Sequence, residues 1–214
     1  MEQGHGVAAL VRKGSENKLP TRAIPVFGDA LKMDSYAGEV RGADTFVHLI
    51  GVAHPGPGKA AEFRAIDLVS IQVAVRAARE AGIKHFIYLS VAQPAAMMRK
   101  YQAVRAEGEA LIRASGMAGT FVRPWYVLGP GHRWPHLLQP IYWLCERLPA
   151  TREGARRLGL VTPPQMLNTL VWAVEHPPGE VQILDVPRIR AGGKVVAAQD
   201  INPRCGSSDT RADR

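Results

Sequence analysis

The sequence predicts an α/β fold, a mostly parallel sheet with helices on both faces, and three observations predict it. Short apolar runs bounded by Gly, Pro or Asp recur along the chain, as strands buried on both sides do. Longer segments of helical period lie between them. Strand and helix alternate, which returns successive strands in the same direction through helical crossovers.

The elements follow in order. Residues 7–11, "VAALV", form the first apolar run and stop at the charged turn "RKGS". Runs at 23–27, 45–50, 85–91, 120–122 and 181–186 read as further strands. A helical segment over 60–81 is closed by Gly82, and another over 97–115 by Gly116, each glycine free to take the left-handed C-terminal stop. A third helix starts at Thr162, whose hydroxyl can cap, with Pro163 at the first helical position, and ends before "HPPG". In such sheets ligands sit outside the carboxyl ends of the strands. The loops "VRKGS", "FGDA", "IGVAHPGPG", "SVAQP" and "RPWYVLGPG" are therefore expected on one edge. The reading divides the chain into a sheet domain over 1–130, a small lobe plus a returning strand over 131–190, and a polar, unpacked tail over 191–214.

Composition narrows the function classes. The 214 residues are 46% hydrophobic and 21% charged, enough to bury a sizeable core. The net charge of +8 comes from dispersed Lys and Arg with no nucleic-acid motif beside it, so nucleic acid is not an expected partner, and the phosphate of a small cofactor would satisfy the same bias. Cys145 and Cys205 cannot make a disulfide framework or a zinc site, which points to a reducing, cytoplasmic compartment. No basic-then-apolar leader pattern is present, and the apolar run over 137–145 is too short for a membrane span. His132 and His136 have the spacing of a metal pair, but Pro135 between them argues against a continuous helix, so no metal is expected. "GARRLG" reads as a solvated basic turn.

Six strings, "GHGVAALVRK", "GDALKMDSYAGEVRGADTFVHLIG", "AVRAAREAGIKHFIYLS", "YQAVRAEGEALIRASG", "FVRPWYVLGPG" and "LVTPPQM", occur in this order. Together they resemble the atypical short-chain dehydrogenase/reductase group, NAD(P)-binding proteins related to sugar-nucleotide epimerases and to NmrA-like regulators. The resemblance covers residues 4–190 and implies a Rossmann-like, doubly wound parallel sheet with a small C-terminal lobe. Members of the group begin with a strand, a G-x-x-G-x-x-G turn and a helix, and "MEQGHG" matches only the end of that helix. The resemblance thus implies an N-terminally truncated sheet, without the central strand of the 3-2-1-4-5-6 order and without the turn that receives the pyrophosphate. Two unpaired strand edges would follow, each orphaned group costing about 1–3 kcal/mol. Either strand 7–11 pairs with strand 45–50, or the natural chain starts upstream of Met1; the second is the favoured expectation.

The resemblance also assigns roles. Arg12 and Lys13 follow the first strand where the group chooses its cofactor, and two cations there suit a 2′-phosphate, so NADP is expected, with NAD as the alternative. Asp29 matches the residue that contacts the adenine, although a turn aspartate would look the same. Gly51 matches the residue that lets the backbone pass close to the ribose, and Pro124 lines the cofactor. Tyr101 and Arg105 fall on the group's Tyr-x-x-x-Lys pair. Arg105 keeps the charge but is a poor member of a proton relay. Tyr101, Val104, Gly108, Leu111, Ile112 and Ser115 also trace a stripe that could simply face the sheet.

Ser90 matches a strand-end serine, while Ala92 stands where a catalytic hydroxyl is usual. Asp67, where many relatives carry Asn, is expected to be solvated or ribose-facing. Trp125 and Tyr126 would wall a substrate pocket. Three functions compete: an NADP-dependent oxidoreductase or epimerase-like enzyme acting on a small molecule, a non-catalytic sensor or assembly module of the NmrA or complex-I accessory kind, and a remnant that binds no nucleotide. A homo-oligomer is compatible with each.

Overall fold

The computed structural model describes residues 4–53, 55–95, 97–129, 154 and 158–194. In chain order its strands are β1 (Ala8–Val11), β2 (Ile24–Phe27), β3 (Thr45–His48), β4 (His85–Leu89), β5 (Ala118–Val122), β6 (Tyr126–Val127), β7 (Leu160–Val161) and β8 (Val181–Leu184). The first long helix, α1, begins at Ala60–Glu62, widens into a π-helical stretch at Phe63–Leu68 and continues as Val69–Glu80. Helices α2 (Arg99–Ala114), α3 (Pro163–Glu175) and α4 (Val186–Arg190) follow. Cys145, Cys205, His132, Pro135, His136, residues 155–157 of "GARRLG" and the tail from 195 lie outside the described residues.

All pairings are parallel. β3, β4, β5 and β8 form one sheet in that order, β1 and β2 form a separate pair, and β6 pairs with β7. Alternation along the strands sends side chains to two cores. Phe86, Tyr88 and Phe121 meet Ile71, Ala74 and Ala78 of α1 and Val104 and Ile112 of α2 on one face. Ile87, Val122 and Leu184 meet Met166 and Ala173 of α3 and Val186 and Ile189 of α4 on the other. Helices thus cover both faces of the four-stranded sheet, the expected α/β architecture.

The local stops behave as the sequence requires. Gly82 and Gly116 close α1 and α2 with φ of 75° and 79°, in the left-handed region. Thr162 and Gln165 form a reciprocal capping box ahead of α3. The expected strand over 181–186 ends sooner, because Asp185 caps α4 through the Arg188 N–H. The run over 120–122 gains two residues at its start, and those over 45–50 and 85–91 stop two residues early.

β1 does not pair with β3. The less favoured alternative, that these two strands close on each other, is not realised: a cleft of about 140 Å³ separates them, lined by Ala8 and Leu10 on one side and Thr45, Phe46 and Val47 on the other, with Tyr36 and Val40 among its walls. The β1–β2 pair is held instead by apolar contact, since Leu10, Val26 and Phe46 all rest on the first core. Ile24, Phe27 and Leu49 are 64%, 51% and 49% exposed, so β2 and the end of β3 leave large apolar side chains uncovered.

Two residues of the first core generate predictions. Gly108 sits mid-helix in α2, where a Cβ would lie 2.6 Å from the hydroxyl and 2.9 Å from the ring carbon of the fully buried Tyr88. Alanine would gain about 1 kcal/mol of helix propensity but overpack a rigid ring by about 1–3 kcal/mol. Gly108→Ala is expected to lower the urea-unfolding free energy, against its propensity.

His48 is 2% exposed, and neither ring nitrogen meets a partner in good hydrogen-bond geometry. Burial first and the Arg105 charge second hold its pKa down to about 3, against a weaker opposing pull from the Ser70 and His48 backbone. The folded value lies below the unfolded one, so the unfolded chain takes up this proton first. Stability is full above about pH 6.5 and falls towards pH 3, by about 1.4 kcal/mol per pH unit once the unfolded ring is charged. His85, lowered by burial, adds in the same direction. His48→Leu is expected to change little at pH 7 and to flatten the decline in urea midpoint between pH 6 and pH 4 by close to one proton.

Candidate functional site

Parallel registers bring the carboxyl ends of the strands to a shared edge within each ladder. On the β1–β2 pair, Arg12 and Lys13 follow β1, and Gly28 and Asp29 follow β2, tied across by the Gly28 N–H donating to the Val11 carbonyl at 3.2 Å. On the larger sheet, Gly51 lies just beyond β3, Ser90 just beyond β4 and Pro124 just beyond β5. The Ser90 N–H donates to the Val122 carbonyl at 2.8 Å and the Ala92 N–H to the Pro124 carbonyl at 2.9 Å.

The densest chemistry surrounds Arg105. Its guanidinium is 3% exposed and its Nη2 lies 2.6 Å from Oδ1 of the fully buried Asp67. Nη1 donates to the Leu89 carbonyl at 2.9 Å, with longer contacts to the Ile50 carbonyl at 3.3 Å and the Tyr88 hydroxyl at 3.4 Å. The other Asp67 oxygen accepts the Val52 N–H at 3.0 Å. Burial pushes the Asp67 carboxyl up while Arg105 and the Val52 N–H pull it down. Burial alone would weaken the guanidinium charge, but Tyr88, Tyr101 and Asp67 outweigh it and the pKa is raised, so Arg105 stays cationic.

Asp67 is therefore neither solvated nor ribose-facing, which corrects the expectation for it. Its carboxylate is enclosed by α1, the loop after β3 and α2. Sequence reasoning missed it as Arg105's partner, although the joint appearance of Asp for Asn and Arg for Lys was a signal that the two residues answer each other.

Tyr101, one helical turn before Arg105, is half-buried. Its ring packs 4.9 Å from that of Phe63, and the Arg105 guanidinium carbon lies 5.1 Å from its centroid. Burial raises the phenol pKa, and Arg105 offsets this only partly. The hydroxyl is thus a proton donor at neutral pH and a poor base. Val104 and Ile112 face the sheet, so the helical stripe does pack as well.

Ser90 is buried and donates to Glu109 at 2.6 Å. Glu109, itself 3% exposed, also accepts from Gln93 at 3.1 Å and from Arg123 Nε and Nη2 at 2.8 and 2.5 Å. Nothing in the sequence reading singled out Glu109, whose signal was a charge set four residues after Arg105 within the packed region of α2.

The remaining residues lie apart from this cluster. Arg12 and Lys13 are exposed, and neither side chain forms an ion pair among the described residues. The Asp29 carboxylate accepts the Leu31 N–H at 3.0 Å and its own N–H donates to Ser35 Oγ at 2.9 Å, an Asx-turn arrangement. Trp125 packs against the second core, Tyr126 sits in β6 opposite Leu160, and Pro124 is buried. The structure thus unites Gly51, Tyr101 and Arg105 through Asp67, sets Ser90 and Pro124 on adjoining strand ends, and leaves Arg12, Lys13 and Asp29 on the separate β1–β2 ladder. No group of three or more His, Cys, Asp or Glu residues suited to a metal occurs among the described residues, nor a helix long and apolar enough to cross a membrane.

Known proteins share this architecture. The solved structure of gox2253 matches with 23% identity and a TM-score of 0.61, over 86% of this chain and 63% of its own. A nucleoside-diphosphate-sugar epimerase from Staphylococcus aureus matches at 17% identity and a TM-score of 0.57, over 83% and 61%. UDP-glucuronic acid 4-epimerase from Bacillus cereus, solved with NAD, matches at 16% identity and a TM-score of 0.60, over 86% and 70%. The chain spans less than two thirds of the length of the first two, and likeness at these identities speaks for the fold. No curated protein matches in sequence. The model of the NAD(P)H-binding family matches residues 1–132, more than half of the chain, and this makes the chain a member of that NAD(P)H-binding family.

Proposed function

We propose that this chain binds a nicotinamide dinucleotide at the carboxyl rim of its strands, NADP in preference to NAD, and acts through binding, as a sensor or assembly module, without running a tyrosine-based proton relay. The observation that carries this reading is the commitment of Arg105. A lysine in that place would be a mobile point charge able to lower the phenol pKa and reach a ribose. Here the cation is consumed by Asp67 and two backbone carbonyls, and the Tyr101 phenol is left with a raised pKa. The other candidate hydroxyl, Ser90, is turned to Glu109.

The residues present fit the adenosine end of the cofactor better than the nicotinamide end. Arg12 and Lys13, both exposed cations beyond β1, would hold a 2′-phosphate by charge-assisted hydrogen bonds. Asp29 and its turn would border the adenine, and Gly51 and Pro124 would border the sugars and the ring. When bound, the dinucleotide supplies a hydride donor or acceptor. The chain's own residues near that end would orient it and exclude water, with Tyr101 as a neutral hydroxyl donor.

The competing reading, an oxidoreductase or epimerase-like enzyme on a small carbonyl or hydroxyl substrate, keeps one specific observation in its favour: Tyr101 still lies against a cation, 5.1 Å from Arg105. Titration with NADPH and NADH separates the cases. We expect saturable NADPH binding tighter than NADH binding, with no turnover of carbonyl substrates by the wild type and unchanged affinity in Tyr101→Phe. Turnover that disappears in Tyr101→Phe would establish the enzyme reading, and no binding of either dinucleotide would refute both. Arg12→Glu should weaken NADPH about tenfold, a loss of about 1.4 kcal/mol, and leave NADH nearly unchanged, as measured by isothermal titration.

A further inference from the structure

Gly51 is a glycine for a reason that its backbone does not supply. Its φ is outside the left-handed region that favours glycine, unlike Gly82 or Gly116. What a side chain would meet is the buried pair: a Cβ at residue 51 would collide with Arg105 Nη2, approach Asp67 Oδ1 to 3.1 Å and Arg105 Cζ to 3.3 Å. A guanidinium on a free chain would swing aside. This one is held by Asp67 and by the Leu89 and Ile50 carbonyls, at 3% exposure.

The same two side chains grip the turn on both sides of Gly51. Arg105 reaches the Ile50 carbonyl before it and Asp67 accepts the Val52 N–H after it. Moving the guanidinium would break the ion pair and its carbonyl contacts together, so residue 51 and residue 105 are sterically and electrostatically bound to one another.

We propose that Arg105 and Asp67 are positioning residues that set the 50–52 turn, and through it the rim against which the dinucleotide sugar lies, and that residue 51 is glycine in order to admit the Arg105 guanidinium. The part concerning the cofactor rests on the dinucleotide-binding reading above; the part concerning the turn does not.

A double-mutant cycle of Gly51→Ala and Arg105→Lys tests this, with NADPH affinity and the ligand-free Tm as readouts. Gly51→Ala alone should raise the NADPH Kd about tenfold and lower the Tm by about 5 °C or more. In the Arg105→Lys background, where the second Nη is gone and the charge remains, the alanine should have little further effect on either. Independent, additive effects of the two substitutions would overturn the proposal, since glycine would then serve ligand or loop and not Arg105. If Gly51→Ala yields no folded protein, recovery of a folded double variant supports the pairing and continued failure overturns it. A wild-type chain that binds no NADPH would sink the dinucleotide reading, and the ligand-free Tm cycle would still decide whether Arg105 dictates Gly51.

Discussion

A cation with no access to water organises the centre of this molecule. Removing a guanidinium from water is expensive unless charge and hydrogen bonds replace the lost solvent. Arg105 obtains both: Asp67 supplies the charge, and the Leu89 and Ile50 carbonyls supply acceptors. The consequences spread outward. Asp67 must lie on the inward side of the π-helical stretch of α1, the turn after β3 must come close, and the rings of Tyr88 and Tyr101 must offer their faces, at 5.6 and 5.1 Å from the guanidinium carbon. His48 is held neutral partly by the same charge.

Helix α2 is fixed at two polar points, one turn apart. Arg105 reaches back to α1 and to the ends of β3 and β4, while Glu109 reaches to the ends of β4 and β5 through Ser90 and Arg123. Each point is locally neutral, so burial does not leave a net charge in the core. The arrangement gives α2 a single axial and rotational setting against the sheet, and Gly108 between the two points lets the helix approach Tyr88 closely. Arg105, Ser90 and Glu109 thus place their polar contacts within the scaffold. The β1–β2 pair has no such anchor. It lacks ladder bonds to β3 and rests on apolar contacts, with exposed polar contacts at its margins from His5 to Glu175 and from Arg76 to Met33.

What was legible in the sequence was what short range determines. The C-terminal glycines of α1 and α2 and the Thr162 cap are local features, decided within one turn of chain, and they stand where the sequence puts them. The alternation of buried runs was equally plain, because strands covered on both sides have no polar face to confuse the pattern. The separation of strand 7–11 from strand 45–50 was legible only through family resemblance, and the alternative, direct pairing, did not form. The polar pairs were not legible from spacing. Asp67 meets Arg105, and Glu109 meets Arg123, only after α1, α2 and β5 have packed, and nothing in spacing along the chain distinguishes a charge that will be buried with a partner from one left in water. The two-residue pairing of β6 with β7 is likewise a product of tertiary contact.

The same physics sets the exposed cations after β1 apart from the buried cluster around Arg105. In the proposed function, cofactor recognition at the β1 end would draw on Arg12 and Lys13, which are exposed beyond the strand and take no part in the packing. Proton transfer needs a phenol whose pKa is lowered by a cation that is not otherwise engaged. Burial raises the Tyr101 phenol pKa by more than Arg105 lowers it, and the Asp67 charge adds to the rise. In the proposed function, binding and chemistry would draw on different residues, so binding could persist where the residues of the relay are committed to the core.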